Sequence, residues 1–409
     1  MKAILFALAL AAQAQDQMPG MNMHPSMADM NPAAMSMMNL ASGTSENPAA
    51  WQMPMLMAHL GSWNTMFMGT AYIVDTQQSG PRGGDKLYSP NTFMAAAEHS
   101  AGAKGAFQAD LMLSLDPATI TGERYPLLFQ TGETAYGRPL FDAQHPHNFI
   151  MALGFHYAYE ISEDTTIHIY FAPVGDPAMG PVAYPHRASA AELPEAPISH
   201  HLQDSTHISD DVVTVGITHK KIKLEASGFH GAEPGENRWI IQQGAIDSWS
   251  TRLWFFPSKN WAAQVSVGRL THPEALEPGD QIRSTGSLSY TRGGWSSSFI
   301  WGRNHETATH HDNNSYLAES VLPVSRKNFI TGRVELADKD ELLVPVPGTF
   351  RIGAYTLGYT RDIALFSYLQ SGIGANFSFY SLPNAIKPFY GNHPVGGNIF
   401  IRFRLRKNT

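Results

Sequence analysis

The chain has 409 residues, of which 15% are charged and 43% are hydrophobic, and its net charge is -7. Soluble domains typically carry about 25% charged residues, and the negative balance argues against a nucleic-acid partner. Cysteine is absent, which excludes disulfides, cysteine-ligated zinc, iron–sulfur clusters and cysteine nucleophiles, whereas histidine and methionine each occur 18 times.

The N-terminus has the pattern of a secretory signal peptide. Met1 and Lys2 precede an apolar run over residues 3–12, and Ala12-Gln13-Ala14 fits the small-x-small cleavage pattern. The apolar run is too short to anchor the chain by crossing a bilayer as a helix. We therefore predict a signal peptide over residues 1–14, followed by export of the mature chain.

Methionine is concentrated in residues 15–58, where it lies among Pro, Asn, Ser and Ala without a steady period of two or 3.6 residues. This composition predicts a disordered periplasmic arm. Thioethers are soft ligands that favour Cu(I) among common cellular metals, so the arm is a candidate copper-binding segment. A flexible linker that happens to use methionine is the alternative. The candidate ligands are Met18, Met21, Met23, His24, Met27, Met30, Met35, Met37 and Met38.

Residues 59–409 show the alternation that is typical of membrane-spanning strands. Segments of about ten residues alternate apolar and polar side chains, and short turns alternate with long loops between them. We predict an all-β fold, an antiparallel transmembrane β-barrel of about 16 strands (between about 14 and 18) in the bacterial outer membrane. A soluble sandwich or propeller would carry more surface charge. The predicted strands cover 61–75, 88–98, 106–115, 147–160, 165–173, 208–219, 221–230, 246–256, 260–270, 281–291, 294–304, 315–323, 328–337, 350–361, 363–378 and 396–406.

Histidines and carboxylates gather in the long loops, which this topology places at the outer mouth of the barrel. Strand alternation additionally places two histidines, His156 and His168, on the lumen side of neighbouring strands, where a tight turn should bring them close together. Neutral imidazole with carboxylate is a common ligand set for Cu(II), Zn(II) and Ni(II). For any single histidine, a structural hydrogen bond is the alternative. The candidate ligands in the loops are Asp142, His145, His147, His200, His201, Asp204 and His207.

The predicted lumen side also carries many basic residues, which would favour anions, whereas the acidic, histidine-rich loops would concentrate cations. Glu225 and Glu335 are expected to pair with some of these bases. The basic residues are Lys221, Lys223, Arg252, Arg283, Arg333, Arg351, Arg402, Arg404 and Arg406.

Two resemblances follow from these segments. The methionine-rich stretch from Met18 to Met68, followed by the barrel pattern, resembles copper-resistance outer-membrane proteins of the B type, which join a signal peptide, a methionine-rich periplasmic arm and a barrel. Segments 137–147, 196–204 and 231–239 are similar to an uncharacterised family of bacterial outer-membrane proteins. That similarity implies a barrel over most of 60–406 and implies no activity. The chain departs from many barrels by ending on Arg406-Lys407-Asn408-Thr409 instead of an aromatic residue that the insertion machinery reads.

Three functions fit these observations. The favoured one is a barrel that handles transition-metal ions, with copper or another divalent ion bound and no catalytic residue assigned. The second is a general or solute-specific porin. The third is a barrel enzyme, for which Asp204-Ser205-Thr206-His207 offers acid, nucleophile and base types without a supporting G-x-S-x-G or H-E-x-x-H motif. The expected partners are outer-membrane lipid, the barrel insertion machinery, metal ions or small solutes, and periplasmic copper proteins.

Overall fold

The computed structural model describes residues 21–22, 31–275, 279–366 and 369–406. The predicted signal peptide therefore lies outside the described residues, and it stays a prediction. Nineteen strands form one antiparallel sheet. Three of them, Met21–Asn22, Leu56–Leu60 and Asp85–Tyr88, are short additions to a closed barrel made by the other sixteen.

Each barrel strand pairs with the next one along the chain, and the last strand pairs with the first. The strands are β1 (Trp63–Gln78), β2 (Asn91–Ala101), β3 (Gly105–Leu113), β4 (Ile150–Ser162), β5 (Thr165–Gly175), β6 (Ser209–His219), β7 (Ile222–His230), β8 (Ser248–Ser258), β9 (Trp261–Leu270), β10 (Gln281–Arg292), β11 (Trp295–Glu306), β12 (Asp312–Ser325), β13 (Asn328–Lys339), β14 (Phe350–Ile363), β15 (Leu369–Ser381) and β16 (Val395–Leu405). The predicted all-β antiparallel barrel of sixteen strands is confirmed, and each predicted strand overlaps one of these.

The two faces of each strand explain why these segments form a barrel. In β9, Val265 and Val267 are exposed on the outside, whereas Gln264 and Ser266, which alternate with them, are buried on the inside. The same alternation recurs in the other strands, so a band of exposed apolar side chains surrounds the barrel. Such a band facing outward, with polar residues inside, is the pattern of a barrel that contacts lipid. In the described residues, helices are short, and none is long and apolar enough to cross a membrane.

Part of the barrel interior is occupied by the long loop between β5 and β6. Residues 176–207, here called the inner loop, contain four short 3₁₀ turns and contact the barrel wall on several sides. Ser199 Oγ donates to Glu335 on β13 at 2.7 Å, and Thr76 on β1 donates to Glu195 at 2.8 Å. Arg402 on β16 pairs with Glu192. The inner loop is therefore held inside the lumen by bonds to three wall strands, β1, β13 and β16.

A hairpin from the preceding long loop packs beside the inner loop. Its strands are Tyr125–Ala135 and Arg138–Gln144. Phe129 is fully buried and stacks on Tyr390 with ring centroids 4.4 Å apart, and it also contacts Tyr380 on β15. The helix Asp116–Thr119 precedes the hairpin, and the helix Lys387–Tyr390 lies in the last long loop. These long loops thus pack together and bury their histidines, contrary to the expectation of a position at the mouth, whereas His272 of a later long loop is exposed.

The expected disorder of residues 15–58 is corrected for residues 31–58, which are ordered inside the barrel. The helix Pro32–Met37 buries Ala33 and Ala34 against Ala106 and Ala158 on the inner wall. Further along, Thr44 O accepts a 2.7 Å hydrogen bond from Lys223 Nζ. The segment lacks periodicity because it follows the shape of the wall instead of forming long regular elements.

The short strand Leu56–Leu60 leads out of this ordered arm and pairs with the beginning of β1. Met57 pairs with Met66, and Leu60 pairs with Trp63. β16 covers the same edge of β1 only from Thr70 onward, where Thr70 pairs with Arg404. The seam of the barrel is therefore closed by two segments, one from each end of the sheet.

Candidate metal centre

Three buried histidines meet inside the barrel. His145 follows the hairpin, and His200 and His201 lie on one 3₁₀ turn of the inner loop. One ligand atom from each lies within 4.8 Å of the others, and the three residues are 8%, 1% and 7% exposed. Three imidazoles at such spacing can ligate one transition-metal ion.

A carboxylate lies beside two of these imidazoles. Asp204 Oδ1 is 2.7 Å from His200 Nδ1, and Glu133 Oε1 is 2.9 Å from His145 Nε2. A carboxylate or carbonyl on one ring nitrogen orients a metal-binding imidazole and raises its basicity. His145 Nδ1 faces the carbonyl of Pro146 at 3.0 Å. Both its nitrogens thus face acceptors, although a neutral imidazole has a single N–H.

His201 differs from its neighbours because neither of its ring nitrogens has a hydrogen-bond partner among the described residues. Buried polar atoms are normally paired, so each unpaired one needs an explanation. The ring lies against Gly132, where an added Cβ would fall 2.4 Å from His201 Nδ1. Gly132 also has a φ of +110°, so its position requires glycine for both reasons.

The three histidines belong to a longer row, here called the histidine chain. Its members contact in the order His145, His201, His200, His207 and His147, with centroid separations of 5.6, 5.0, 5.4 and 5.6 Å. His147 Nδ1 lies 2.8 Å from Asp116 at the far end. The row is continuous, because each ring contacts the next.

The histidine chain is electrostatically suited to neutral imidazoles. Burial, followed by the neighbouring His200 and His145, holds the pKa of His201 well below its ordinary value. Burial likewise lowers the pKa of His207 and of His145. Burial alone would raise the pKa of Glu133, but Arg238 and His145 hold it below its ordinary value. At neutral pH, His145, His201 and His207 are therefore uncharged beside an ionised Glu133, which are the forms that bind metal.

The structure brings together six of the seven loop candidates: His145, His147, His200, His201, Asp204 and His207. The seventh, Asp142, lies elsewhere and pairs with Arg82 at 2.6 Å. Asp116, Glu133 and Tyr184 were not among the predicted ligands. Glu133 occurs in the same loop as His145, which is the one sequence signal that pointed towards it.

The two strand histidines have separate carboxylate partners. His156 Nε2 lies 2.7 Å from Asp110, and His168 Nε2 lies 3.2 Å from Glu225. In the register of β4 and β5, His156 pairs with Tyr170 and His168 pairs with Ala158. Each histidine thus has the structural hydrogen bond that was the alternative to a ligand role.

The candidate ligands of the arm fall into three groups: residues with described side chains, one residue described by its backbone, and residues outside the described ranges. Met35 is 48% exposed, Met37 is buried among alanines, and Met38 packs against a buried methionine cluster described below. The backbone of Met21 pairs with Leu60. The others lie outside the described residues, and they are Met18, Met23, His24, Met27 and Met30.

Most of the basic lumen residues are neutralised. Arg252 pairs with Glu225 at 3.0 Å, and Arg333 pairs with Glu319 at 2.9 Å. The expected partner Glu335 instead accepts hydrogen bonds from Ser199 of the inner loop. Since acids of the wall and the inner loop offset these bases, the lumen is not the cationic channel that the strand pattern alone would suggest.

In the segment 204–207, the potential nucleophile Ser205 is not hydrogen-bonded to the potential base His207. Ser205 Oγ donates to Glu233 at 3.3 Å and accepts from Arg283 at 2.7 Å. His207 Nδ1 instead bonds to the backbone carbonyl of Asp204 at 2.8 Å. The sequential acid, nucleophile and base types are therefore not arranged as a catalytic triad in this segment.

No protein-family model matches the chain, and no curated protein matches its sequence. Solved structures match its fold. OmpF of Salmonella typhi, in complex with daunomycin, is 7% identical with a TM-score of 0.56, and the match covers 86% of this chain and 100% of that one. An anion-selective porin from Comamonas acidovorans is 10% identical with a TM-score of 0.55, covering 84% and 100%. The chain therefore has the fold of a porin-like outer-membrane β-barrel.

Proposed function

We propose that this protein is a plugged outer-membrane barrel that binds a divalent transition-metal ion, with Cu(II) favoured, through His145, His200 and His201. The observation that carries the proposal is the convergence of three buried ligand atoms within 4.8 Å of one another. The unpaired nitrogens of His201 support it, because a bound ion would give one of them a partner. An ion at His145 Nε2 would also satisfy the lone pair that otherwise faces Glu133.

Copper is favoured over other divalent ions for two reasons. Imidazole nitrogen suits Cu(II), and Cu(II) stands highest in the usual order of divalent affinities. The same lumen also contains many methionines, whose thioethers select the reduced ion. The protein would then act in copper binding, efflux or resistance, and periplasmic copper proteins would exchange the ion with it.

The test is a titration of the full chain, purified in detergent and stripped with a chelator, with Cu(II). The wild type should hold one tightly bound equivalent with nitrogen coupling in its electron paramagnetic resonance spectrum. His201→Gln should weaken binding by about tenfold or more, since even partners of a ligand contribute that much. His272→Gln is the matched control, because the His272 side chain is 70% exposed and lies outside the histidine chain. Equal affinity in wild type and His201→Gln would contradict the proposed site.

A second candidate function is the passage of small solutes, which the porin-like fold favours. The inner loop argues against a wide channel, because it is bonded to opposite parts of the wall: Glu195 accepts from Thr76 on β1, and the Gly180 N–H donates to Ser266 on β9. Planar-bilayer conductance distinguishes the two. A wild-type conductance that equals that of a variant lacking residues 178–203 would show an open pore and favour the porin.

A further inference from the structure

A second group of possible metal ligands lies outside the histidine triad. A cavity of about 110 Å³ lies between the ordered arm, the first strands and the inner loop. Three methionines line it, Met53 from the arm, Met68 from β1 and Met94 from β2, together with His147 and His186 of the long loops. Thioether and imidazole side chains therefore face one space inside the barrel.

The strand register explains why the methionines lie together. Met68 pairs with Met94 across β1 and β2, and Met94 pairs with Met112 across β2 and β3. Directly paired residues have Cβ atoms about 5 Å apart, so the three side chains form one row on the inner wall. The row belongs to a packed cluster that contains Met38, Met55, Met57, Met66, Met68, Met94, Met112 and Met151.

Ordinary packing explains this cluster less well than ligation does. Methionine fills irregular apolar space, but leucine and isoleucine would do so without the risk of oxidation. Other parts of the inner wall use polar residues such as Gln264, Ser266 and Thr285, or mostly apolar residues other than methionine, such as Val212, Phe229 and Leu270. His186 supplies the independent observation, because its Nε2 is closed off from solvent and has no hydrogen-bond partner among the described residues.

The charges around the cavity are compatible with a monovalent cation. Arg187 and Arg404 also line it, but each has an acidic partner. Arg187 Nε lies 2.7 Å from Glu319, and Arg404 lies 3.3 Å from Glu192. Burial lowers the pKa of His186 to about 4, with His147 adding to the effect, so its imidazole is neutral at ordinary pH. The cavity thus presents soft, uncharged donors without unpaired positive charge.

We propose that this cavity is a binding site for a soft monovalent metal ion, Cu(I), ligated by the thioethers of Met53, Met68 and Met94 and by His186. Soft thioether ligands select Cu(I), and imidazole is a common additional ligand. His147 lines the cavity and is also the last member of the histidine chain. The soft site therefore adjoins the far end of the histidine chain and uses none of the three ligands of the proposed divalent site.

The experiment measures the affinity of the full chain in detergent for Ag(I), a redox-inert soft ion, and for Cu(I) under anaerobic conditions. Met68→Leu/Met94→Leu keeps the volume of both side chains, so the barrel should fold, as a heat-dependent shift in gel mobility would show. We expect its affinity for both ions to fall about tenfold or more and sulfur coordination to weaken in X-ray absorption spectra. Met179→Leu is the control, because Met179 is buried in another cluster beside Tyr170 and Phe229.

His186→Gln tests the nitrogen ligand and should also weaken Ag(I) binding while leaving sulfur coordination in place. Unchanged Ag(I) and Cu(I) affinity in folded Met68→Leu/Met94→Leu would overturn the proposal. The same variant should bind Cu(II) at the histidine triad as the wild type does, and His201→Gln should keep its Ag(I) affinity. The two sites can therefore fail independently of each other.

Discussion

Glu319 is a buried carboxylate that joins the inner loop to the barrel wall. This carboxylate lies on β12, is 3% exposed, and accepts hydrogen bonds from Arg187 at 2.7 Å and from Arg333 at 2.9 Å. Ser189 of the inner loop donates to it at 2.9 Å. Glu319→Gln keeps the shape of the side chain but removes the charge that holds two guanidinium groups together.

The size of the effect follows from the burial of this pair. Removing one partner of a buried ion pair costs about 3–5 kcal/mol, because the other charge stays buried without compensation. Arg187 retains Asp204 at 3.5 Å, so we expect the lower end, about 3 kcal/mol. Since about 1.4 kcal/mol corresponds to a tenfold change, the population with an undocked inner loop should rise roughly 100-fold.

Limited trypsin digestion measures that population, because Arg187 is the only Lys or Arg in residues 176–207 and is 2% exposed. Cleavage of a transiently opened segment follows its equilibrium population when opening is fast. Glu319→Gln should therefore produce the fragment beginning at Ala188 roughly 100-fold faster than the wild type. Asp164→Asn is the control, since its pair with Lys220 is exposed at the opposite rim and contributes little. Cleavage at the wild-type rate in folded Glu319→Gln would show that this carboxylate does not hold the plug.

Two glycines test how closely the interior fits the wall. A Cβ at Gly302 would lie 1.8 Å from the Leu202 carbonyl oxygen. Gly302→Ala should therefore displace the neighbouring His201 and weaken Cu(II) binding about tenfold. An unchanged Cu(II) affinity would refute this coupling. Gly43 has a φ of +51°, and its Cβ would lie 2.2 Å from the Asp176 carbonyl oxygen. Gly43→Ala should therefore speed amide hydrogen exchange over 33–47, and unchanged protection would contradict the tight fit of the arm.

The barrel could be predicted from the sequence because its determinants are local. Alternation such as Ile222, Leu224 and Ala226 against Lys223 and Glu225 sets both the strand and its two faces. Turns and long loops alternate along the chain, so pairing of each strand with the next follows without knowledge of distant contacts. Strand ends were less accurate, as between β14 and β15, where β14 extends to Ile363 and the strand predicted from residue 363 begins only at Leu369.

The interior could not be predicted in the same way, because it depends on contacts between distant segments. Ala33 is buried against Ala106 and Ala158, a match of small side chains that leaves no periodic signal. The pairs His145-Pro-His147 and His200-His201 were each recognisable as ligands. Their meeting in one row depends on the inner loop folding into the lumen, which is fixed by partners such as Glu319 and Glu335 on remote strands.

The two-part seam beside β1 makes the arm a piece of the barrel wall. Without Leu56–Leu60, the backbone of residues 63–67 would keep one open edge at the level where β16 has already ended. An unpaired edge is costly next to lipid and invites pairing with other chains. Removal of residues 15–58 would therefore compromise the closure of the sheet as well as remove methionines. Leucine replacements in the arm preserve the backbone of that edge, so they separate the ligand chemistry of the thioethers from the integrity of the wall.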